Sequence, residues 1–278
     1  MGMLPTHRSR RKARLDVDLS RIDTVINDIQ AIIDWSEQAE DPIGYFAALY
    51  KRVTIAIRGG IEANRFEDGS RMVDFDASFA GRFFEAVKAH RDGGRPTQSW
   101  QTAFKRRDGT KPLIIVQHLM TGINAHIDLD LGIVAAEIGA KSSRPLHRDF
   151  IAINTILASQ VPGVLKALDH ISPAFARKRK LLRHKDTDLV DGGLSFFRDD
   201  AWRFACVLDA VPQAGRDDVI GVRDAACACF GSWYLHPSPF VPIIHEILAE
   251  ERSDQVAANI RALDEVADRP AALPRRLW

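Results

Sequence analysis

Two side chains near the middle of the chain have the types and the spacing for acid–base or metal chemistry. His126 and Asp130 are four residues apart, so on a helix they lie on one face and can pair directly. His118 precedes His126 by two turns of an ideal helix with a rotation of about 80°, so it could join the pair only across a pocket. Three interpretations are open: a structural His–Asp pair, a general acid/base that is oriented by its carboxylate, and a metal site of two histidines and one carboxylate.

Further polar residues lie among apolar ones and could line a pocket beside this pair. The candidates for substrate binding are Tyr45, Tyr50, Asp76, Arg82 and Asn124. Asp76 and Arg82 could instead form a buried ion pair that fixes helix packing. Asn124 pairs at helical spacing with Asp128 on the opposite side of the helix, and an asparagine in such a place often satisfies a neighbouring backbone group.

These residues belong to a segment that predicts one long buried helix over about residues 113–138. Pro112–Glu137 reads PLIIVQHLMTGINAHIDLDLGIVAAE and opens with a proline, which suits a first turn. At about 100° per residue its apolar side chains form one stripe, namely Val116, Leu119, Met120, Ile123, Ile127, Leu131 and Val134. His126 and Asp130 fall at the edge of that stripe and therefore face protein. A buried carboxylate there needs a partner, which an imidazolium or a metal ion would supply.

Apolar residues recur at helical spacing along most of the chain, whereas alternating β-branched runs and hairpin turns are nearly absent. The sequence therefore predicts an all-α fold, a single compact multi-helix bundle around the central helix. A first helix follows a Ser20 cap, and a second begins at Asp41-Pro42 and runs to Gly59-Gly60. Further helices are predicted over about residues 73–90, 146–169, 197–210, 217–231 and 255–267.

We expect a helical domain over residues 19–268, between a disordered basic tail at 1–18 and a C-terminal tail at 269–278. The basic stretch at 177–185 either coats a surface helix or links two helical halves.

The net charge of the chain is close to zero, with 38 basic and 37 acidic residues. No overall electrostatic attraction therefore draws it to nucleic acid or to an anionic membrane. No secretory signal or membrane-spanning run is recognised, so a cytoplasmic protein is expected. Its three cysteines, Cys206, Cys227 and Cys229, are expected to be small core residues.

Two short motifs match the letters of known signatures without their context. His147-Arg148-Asp149, followed by Asn154, is typical of a protein-kinase catalytic loop, but the glycine-rich loop, the strand lysine and the Asp-Phe-Gly sequence are missing. A helix that begins after Pro145, with Asp149 in its first turn, explains the letters better. The run from Asp128 to Gly132 lacks the later ligands of a calcium loop.

Several segments together resemble DUF5995, an uncharacterised bacterial and fungal family. They are GYFAALYKRVT at 44–54, FEDGSRM at 66–72, FAGRFF at 79–84, QHLMTGINAHIDLDLG at 117–132, RDFIAIN at 148–154 and RDDAW at 198–202. The resemblance covers about residues 20–210, and the string Asn-Ala-His-Ile-Asx-Leu-Asp-Leu is its most specific element. Asp128 stands where the family usually has asparagine, which argues against a role that needs a neutral amide there. The resemblance implies a helical architecture and a focus on His126 and Asp130, and it implies no reaction.

The leading hypothesis is an enzyme for a small molecule, with a pocket between the central helix and its neighbours. His126 would act as acid/base or metal ligand, with Asp130 as its partner and His118 nearby. If His118, His126 and Asp130 hold a metal, iron or zinc would suit them, for oxidation or hydrolysis. The alternative is a non-catalytic ligand-binding or assembly module in which the His–Asp pair fixes helix register. The oligomeric state is left open by the sequence.

Overall fold

Helices form nearly all of the described chain, as predicted. The computed structural model describes residues 17–108, 111–139, 144–180, 185–238, 240–251 and 255–277. Most of the predicted basic tail, and residues 181–184 of the basic stretch, lie outside the described residues. The helices are α1 (Ser20–Ala39), α2 (Ile43–Glu62), α3 (Gly69–Arg91), α4 (Gln98–Ala103), α5 (Ile115–Ile123), α6 (Leu131–Glu137), α7 (Arg144–Ile171), α8 (Pro173–Lys180), α9 (Lys185–Ala210), α10 (Gln213–Leu235), α11 (Val241–Glu250) and α12 (Val256–Ala267). Two short strands, β1 (Arg107–Asp108) and β2 (Lys111–Pro112), pair antiparallel before α5.

Carboxylates accept backbone N–H groups where the first helices begin. The side chain of Asp41 accepts the Ile43 N–H at 3.0 Å, and α2 begins at Ile43, directly after the predicted start at Asp41-Pro42. Ser20 is the first residue of α1 and not its cap, and its N–H donates to Asp18 at 2.9 Å. In α3 the cap is Asp68.

Helix α2 lies at the centre of the bundle and contacts α1, α3, α5, α7 and α12. The approach of α1 and α12 depends on Gly44, where an added Cβ would lie 2.5 Å from Ile260 and 2.7 Å from Ser36. Elsewhere α2 contacts α5, the first part of the predicted central helix.

The predicted central helix is buried, but it is not a continuous α-helix. A π-helical segment, Asn124–Asp130, joins α5 to α6, and all seven of its residues are buried. In a π-helix each N–H bonds to the carbonyl five residues earlier, so each turn contains more residues than an α-turn. The prediction of about 3.6 residues per turn is therefore wrong across this segment. The segment packs against α3, α4, α9 and α10.

Asp149 joins α7 to the loop before α3. Its fully buried carboxylate accepts the Glu67 N–H at 2.6 Å and a guanidinium N–H of Arg71 at 2.5 Å. It lies beyond the first turn of α7, so its predicted position was wrong, and its role is structural.

An 18-residue window of α7 is long and apolar enough to cross a membrane. The core helices of soluble proteins meet the same criterion, and 39% of that window is buried here.

The described part of the basic stretch coats a surface helix. On α8, Arg177 pairs with Glu250, Lys178 with Glu246, and Arg179 with Asp169. Neighbouring acids thus neutralise these charges.

The segment 269–277 contains no helix and packs against the bundle. Arg52 donates to the carbonyl of Arg269 at 2.8 Å, and Arg65 donates to that of Pro274 at 2.7 Å. Leu277 is buried among core residues.

Among the cysteines, Cys227 is buried and Cys206 is half-buried, whereas Cys229 is exposed. The prediction of three core cysteines was therefore wrong for Cys229.

Candidate active site

Several elements bring aromatic rings around the imidazole of His126. The ring stacks on Phe79 of α3, with centroids 3.6 Å apart and an interplanar angle of 9°. It also meets the ring of Tyr50 of α2 nearly at right angles, at 4.6 Å. Three more aromatic side chains complete the enclosure, namely Phe46, Phe83 and Trp100. These contacts fix the orientation of the imidazole and separate it from bulk water.

Asp130 lies beside His126 and is held from three directions. Its Oδ1 accepts from Arg82 Nε at 2.7 Å, and its Oδ2 accepts from the indole N–H of Trp100 at 2.8 Å. The Nδ1 of His126 lies 3.3 Å from the same Oδ2. The predicted pairing of His126 with Asp130 is therefore present, and an arginine and a tryptophan fix its carboxylate. We call His126 and Asp130 the dyad.

The partners of Asp130 determine which nitrogen of His126 carries the proton. Because both carboxylate oxygens already accept hydrogen bonds, Nδ1 donates its proton to Asp130, and Nε2 becomes an acceptor. Burial lowers the pKa of His126 and outweighs the opposite influence of Asp130. The ring is therefore neutral near pH 7. Within the described residues its Nε2 is buried and has no hydrogen-bond partner.

His126 forms part of the wall of a cavity of about 180 Å³ between α2, α3, α5, the π segment, α7 and α8. We call this space the dyad cavity. Apart from His126, its polar lining residues are Tyr50, Asp76 and Gln160. The remaining wall is apolar and consists of Phe46, Leu49, Val53, Ile57, Phe75, Phe79, Val116, Leu119, Met120, Ile123, Ile127, Leu131, Ile153, Leu157, Val161, Val164, Leu165, Leu168 and Phe175. An apolar cavity of this size can take up a molecule of about the size of benzene.

Tyr50 and Asp76, whose side chains also line this cavity, each have a buried polar atom without a partner. Neither the Tyr50 hydroxyl nor Asp76 Oδ2 has a hydrogen-bond partner within the described ranges. The hydroxyl of nearby Thr54 donates instead to the Tyr50 carbonyl, at 3.1 Å. Burial raises the pKa of Asp76 to about 7. Burial, with smaller contributions from the Asp76 and Asp130 carboxylates, also raises the pKa of Tyr50 far above its ordinary value. Tyr50 therefore stays neutral, and Asp76 is neutral below about pH 7.

His118 and Tyr45 lie in a different cavity, of about 470 Å³, against the other side of α5. Their ring centroids are 5.7 Å apart. Burial, with a contribution from Arg106, lowers the pKa of His118 to about 3. Glu251, which the sequence did not indicate, lines the same cavity and accepts from the Ile115 N–H at 2.7 Å and from Ser172 at 2.8 Å.

The predicted metal-binding set is not brought together. His118 lines the second cavity, and both oxygens of Asp130 are engaged beside His126. Across the described part of the chain, no three His, Cys, Asp or Glu side chains are grouped so that they could hold a metal ion. The catalytic role predicted for His118 beside the dyad, and the substrate-binding role predicted for Tyr45, likewise do not fit the dyad cavity.

Asn124 and Asp128 face α10, so the π segment is contacted from both sides, as predicted. Asn124 donates to the carbonyl of Cys227 at 2.8 Å. Asp128 accepts from Arg223 at 2.5 Å and from the Cys227 thiol at 3.2 Å. Asn124 does not line the dyad cavity, so its predicted substrate-binding role is replaced by a structural one.

Arg82 and Trp100 act differently from what the sequence indicated. Arg82 pairs with Asp130, so the predicted ion pair with Asp76 was wrong and Asp76 stays unpaired. Trp100 was missed because it is distant in sequence and carries no motif. The aromatic face of α3 did leave a signal, since Phe75, Phe79 and Phe83 recur every four residues.

One family model, described as a family of unknown function (DUF5995), matches residues 22–237. The chain belongs to this family. The DUF5995 region contains the dyad and every residue that lines the dyad cavity, whereas Glu251 and Val256 of the second cavity lie outside it. Neither the curated proteins nor the solved structures include a match to the chain.

Proposed function

We propose that the protein is an enzyme that carries out acid–base chemistry on a small, largely apolar molecule bound in the dyad cavity. The observation that carries this proposal is the buried, unpartnered Nε2 of His126, a residue that forms part of the cavity wall. An unpaired buried acceptor costs about 1–3 kcal/mol, so such an atom favours a site in which a ligand supplies the missing proton donor.

His126 is the general base of this proposal. Its Nε2 is free to accept a proton, and burial keeps the ring neutral by lowering its pKa. A base that is unprotonated at neutral pH satisfies the first requirement of proton abstraction.

Asp130, Arg82 and Trp100 position this base. Asp130 fixes the tautomer through Nδ1 and stabilises the imidazolium that forms when Nε2 takes a proton. Arg82 and Trp100 keep the carboxylate in place, at 2.7 and 2.8 Å. The apolar wall excludes water, so the charge that develops during proton transfer interacts strongly with these groups.

The probe 5-nitrobenzisoxazole tests the base directly. Removal of its C–H proton by a base breaks the N–O bond and releases a coloured nitrophenolate. We expect the protein to bind the probe and to open its ring, and His126→Gln to lower the rate about a hundredfold. The matched control is His118→Gln, which removes a buried histidine from the other cavity and should keep the rate.

Two results would overturn the proposal. One is failure of the probe to bind, measured by a shift in melting temperature. The other is an equal ring-opening rate in the original protein and a folded His126→Gln variant.

A second candidate function is non-catalytic binding of an apolar molecule, with the dyad as a structural element. The observation that favours it is the almost wholly apolar cavity wall. In that case the probe would bind without turnover, and His126→Gln would lower stability without changing any rate.

A further inference from the structure

The second cavity, which His118 lines, differs in character from the dyad cavity. Its volume of about 470 Å³ lies within the range of small-molecule sites, about 300–1,000 Å³. Polar atoms form a large part of its open wall, whereas the wall of the dyad cavity is almost wholly apolar. Charged side chains of both signs line it, namely Arg106, Arg107 and Glu251. A ligand in this cavity would therefore meet both positive and negative charge.

The two arginines belong to the hairpin segment before α5. Arg106 donates to the Glu40 carbonyl at 2.8 Å, close to the start of α2. Arg107 lies opposite Pro112 in the strand pair, three residues before α5 begins. Both arginines are exposed, and among the described residues neither is paired with a carboxylate. Their guanidinium groups are therefore available to an anionic group in the cavity.

Glu251 brings a negative charge that is also without a counter-ion. It follows α11 directly and is 5% exposed. Its oxygens accept from the Ile115 N–H at 2.7 Å and from the Ser172 hydroxyl at 2.8 Å, and both donors are neutral. Burial raises the pKa of Glu251, as expected for a carboxylate that no cation stabilises. An ammonium group that enters the cavity would supply this cation.

His118 adds a polar side chain that is almost buried and has no partner. It is 6% exposed, and its ring packs against that of Tyr45. No hydrogen bond joins the imidazole to another residue in the described part of the chain. Unlike the Nε2 of His126, its ring nitrogens are not sealed within the protein, so they are open to the cavity. Because its pKa is lowered to about 3, the ring is neutral and offers one donor and one acceptor.

We infer that the second cavity binds a small zwitterion with an apolar side chain, namely a free amino acid or a short peptide. Arg106 and Arg107 bind its carboxylate, Glu251 binds its ammonium group, and His118 adds a hydrogen bond. A ligand with one charge would leave either the arginines or the buried Glu251 without a counter-ion.

The rest of the wall fits the apolar part of such a molecule. It is formed by Pro42, Pro112, Leu113, Ile115 and Val256, beside the ring of Tyr45. The inference goes beyond the proposed function, because it concerns a separate cavity and needs no chemistry at His126.

Four probes of similar size test the charge pattern. L-Phenylalanine and the dipeptide L-alanyl-L-phenylalanine carry both charges, whereas phenethylamine lacks the carboxylate and 3-phenylpropionate lacks the amine. We expect one zwitterion or both to bind at least about tenfold more tightly than either single-charge analogue, as measured by titration calorimetry. The tighter zwitterion shows whether the ligand is an amino acid or a peptide. If neither zwitterion binds more tightly than both analogues, the inference is wrong.

Two variants assign the charges. Arg107→Gln should weaken binding of the tighter zwitterion about tenfold and leave phenethylamine affinity nearly unchanged. Glu251→Gln should weaken the same zwitterion to a similar extent and leave 3-phenylpropionate nearly unchanged. Melting curves show that the variants are folded, and Arg203→Gln, at an exposed position of α9 outside the cavity, is the matched control. Unchanged zwitterion affinity in either folded variant would overturn the inference.

Nitrogen-15 NMR of the histidine rings locates the bound zwitterion. We expect the ring resonances of His118, identified by their loss in His118→Gln, to shift on binding, because the open nitrogens of His118 line the second cavity. The resonances of His126 should stay in place. A shift of His126 without one of His118 would put the probe in the dyad cavity and contradict the assignment.

Discussion

At the scale of single residues, the tautomer of His126 has a direct spectroscopic consequence. With Nδ1 directed at Asp130 and burial lowering the pKa of the ring, we expect Nε2 to stay unprotonated at the pH at which an ordinary histidine takes up its second proton. Nitrogen-15 NMR of the histidine rings measures this, with the His126→Gln variant identifying the resonance. A ring that takes up its proton at or above its ordinary pKa would contradict the geometry.

Asp76 is buried and its Oδ2 has no hydrogen-bond partner among the described residues, so the ionisation of its carboxyl group should make the stability of the protein depend on pH. Its pKa is about 7 in the folded chain, against an ordinary value of 3.8, so the folded state holds the proton more tightly than the unfolded state does. Stability therefore falls as pH rises from about 4 to about 7 and stays low above that. The full effect is of the order of 4 kcal/mol. Burial is the cause of this shift, and the Asp76 carboxylate in turn raises the pKa of Tyr50.

We expect Asp76→Asn to have a higher melting temperature than the original protein at about pH 8 and a similar one at about pH 4. The amide stays neutral at both, so it removes the cost of ionising a buried group. Glu85→Gln, on an exposed part of α3, is the control and should show no such difference. A variant that is equally stable relative to the original protein at both pH values would show that Asp76 does not titrate in this range.

Part of this chemistry could be predicted from the sequence. The spacing of His126 and Asp130, and their place on an apolar stripe, predicted a buried pair, and the structure confirms that pair. The hydrogen bonds from Arg82 and Trp100 to Asp130 could not be predicted, because they join residues 48 and 30 positions apart and depend on how α3 and α4 pack. The separation of His118 from the dyad has the same cause, since His118 faces a different cavity.

At the scale of elements, the π segment places polar residues on opposite sides of one buried helix. His126 and Asp130 face α3 and α4, whereas Asn124 and Asp128 face α10. Immediately after the segment, α6 approaches α9 at Gly132. An added Cβ there would lie 2.9 Å from the backbone oxygen of Ala201 and 2.6 Å from Phe204.

Gly132→Ala should therefore destabilise the protein, by about 1–3 kcal/mol, because the backbone oxygen of α9 cannot move aside cheaply. Gly81→Ala is the matched control, since an added Cβ at Gly81 meets nothing within 4 Å. That change lies inside α3 and should stabilise the protein by up to about 1 kcal/mol. Urea unfolding of the two variants measures the difference. A neutral or stabilising effect of Gly132→Ala would show that α6 and α9 can separate at little cost.

Helix positions followed well from hydrophobic periodicity, whereas the irregular elements did not. The predictions for 73–90, 146–169 and 255–267 lie within two residues of α3, α7 and α12 at most of their ends. The seven-residue π segment was missed because periodicity assumes one fixed angle per residue. The short α4 was missed because six residues contain too few turns to show a period, yet it supplies Trp100 to the dyad.

At the scale of the whole molecule, the C-terminal segment closes the bundle against α2 and α7. Arg52 and Arg65 hold its carbonyl groups, and Thr155 donates to the carbonyl of Leu277 at 3.0 Å. Leu277 itself is only 3% exposed, so the segment contributes a side chain to the core as well as hydrogen bonds. Sequence composition alone suggested a tail there, because hydrogen bonds to backbone carbonyls leave no pattern in residue type.

Leu277→Ala should lower the free energy of unfolding by about 2 kcal/mol or more, since it empties a buried position. Leu273→Ala makes the same chemical change in the same segment at a half-buried position, and should cost clearly less. Denaturant melts of the two variants measure both effects. Equally small effects would mean that the segment contributes mainly through its backbone.

The dyad cavity also makes the folded molecule sensitive to hydrostatic pressure. Space inside the protein that water does not fill disappears on unfolding, so compression favours the unfolded chain in proportion to that space. A cavity of about 180 Å³ is a large void for a chain of this length. A molecule that fills the cavity should therefore raise the pressure needed to unfold the protein, independently of any chemistry at His126.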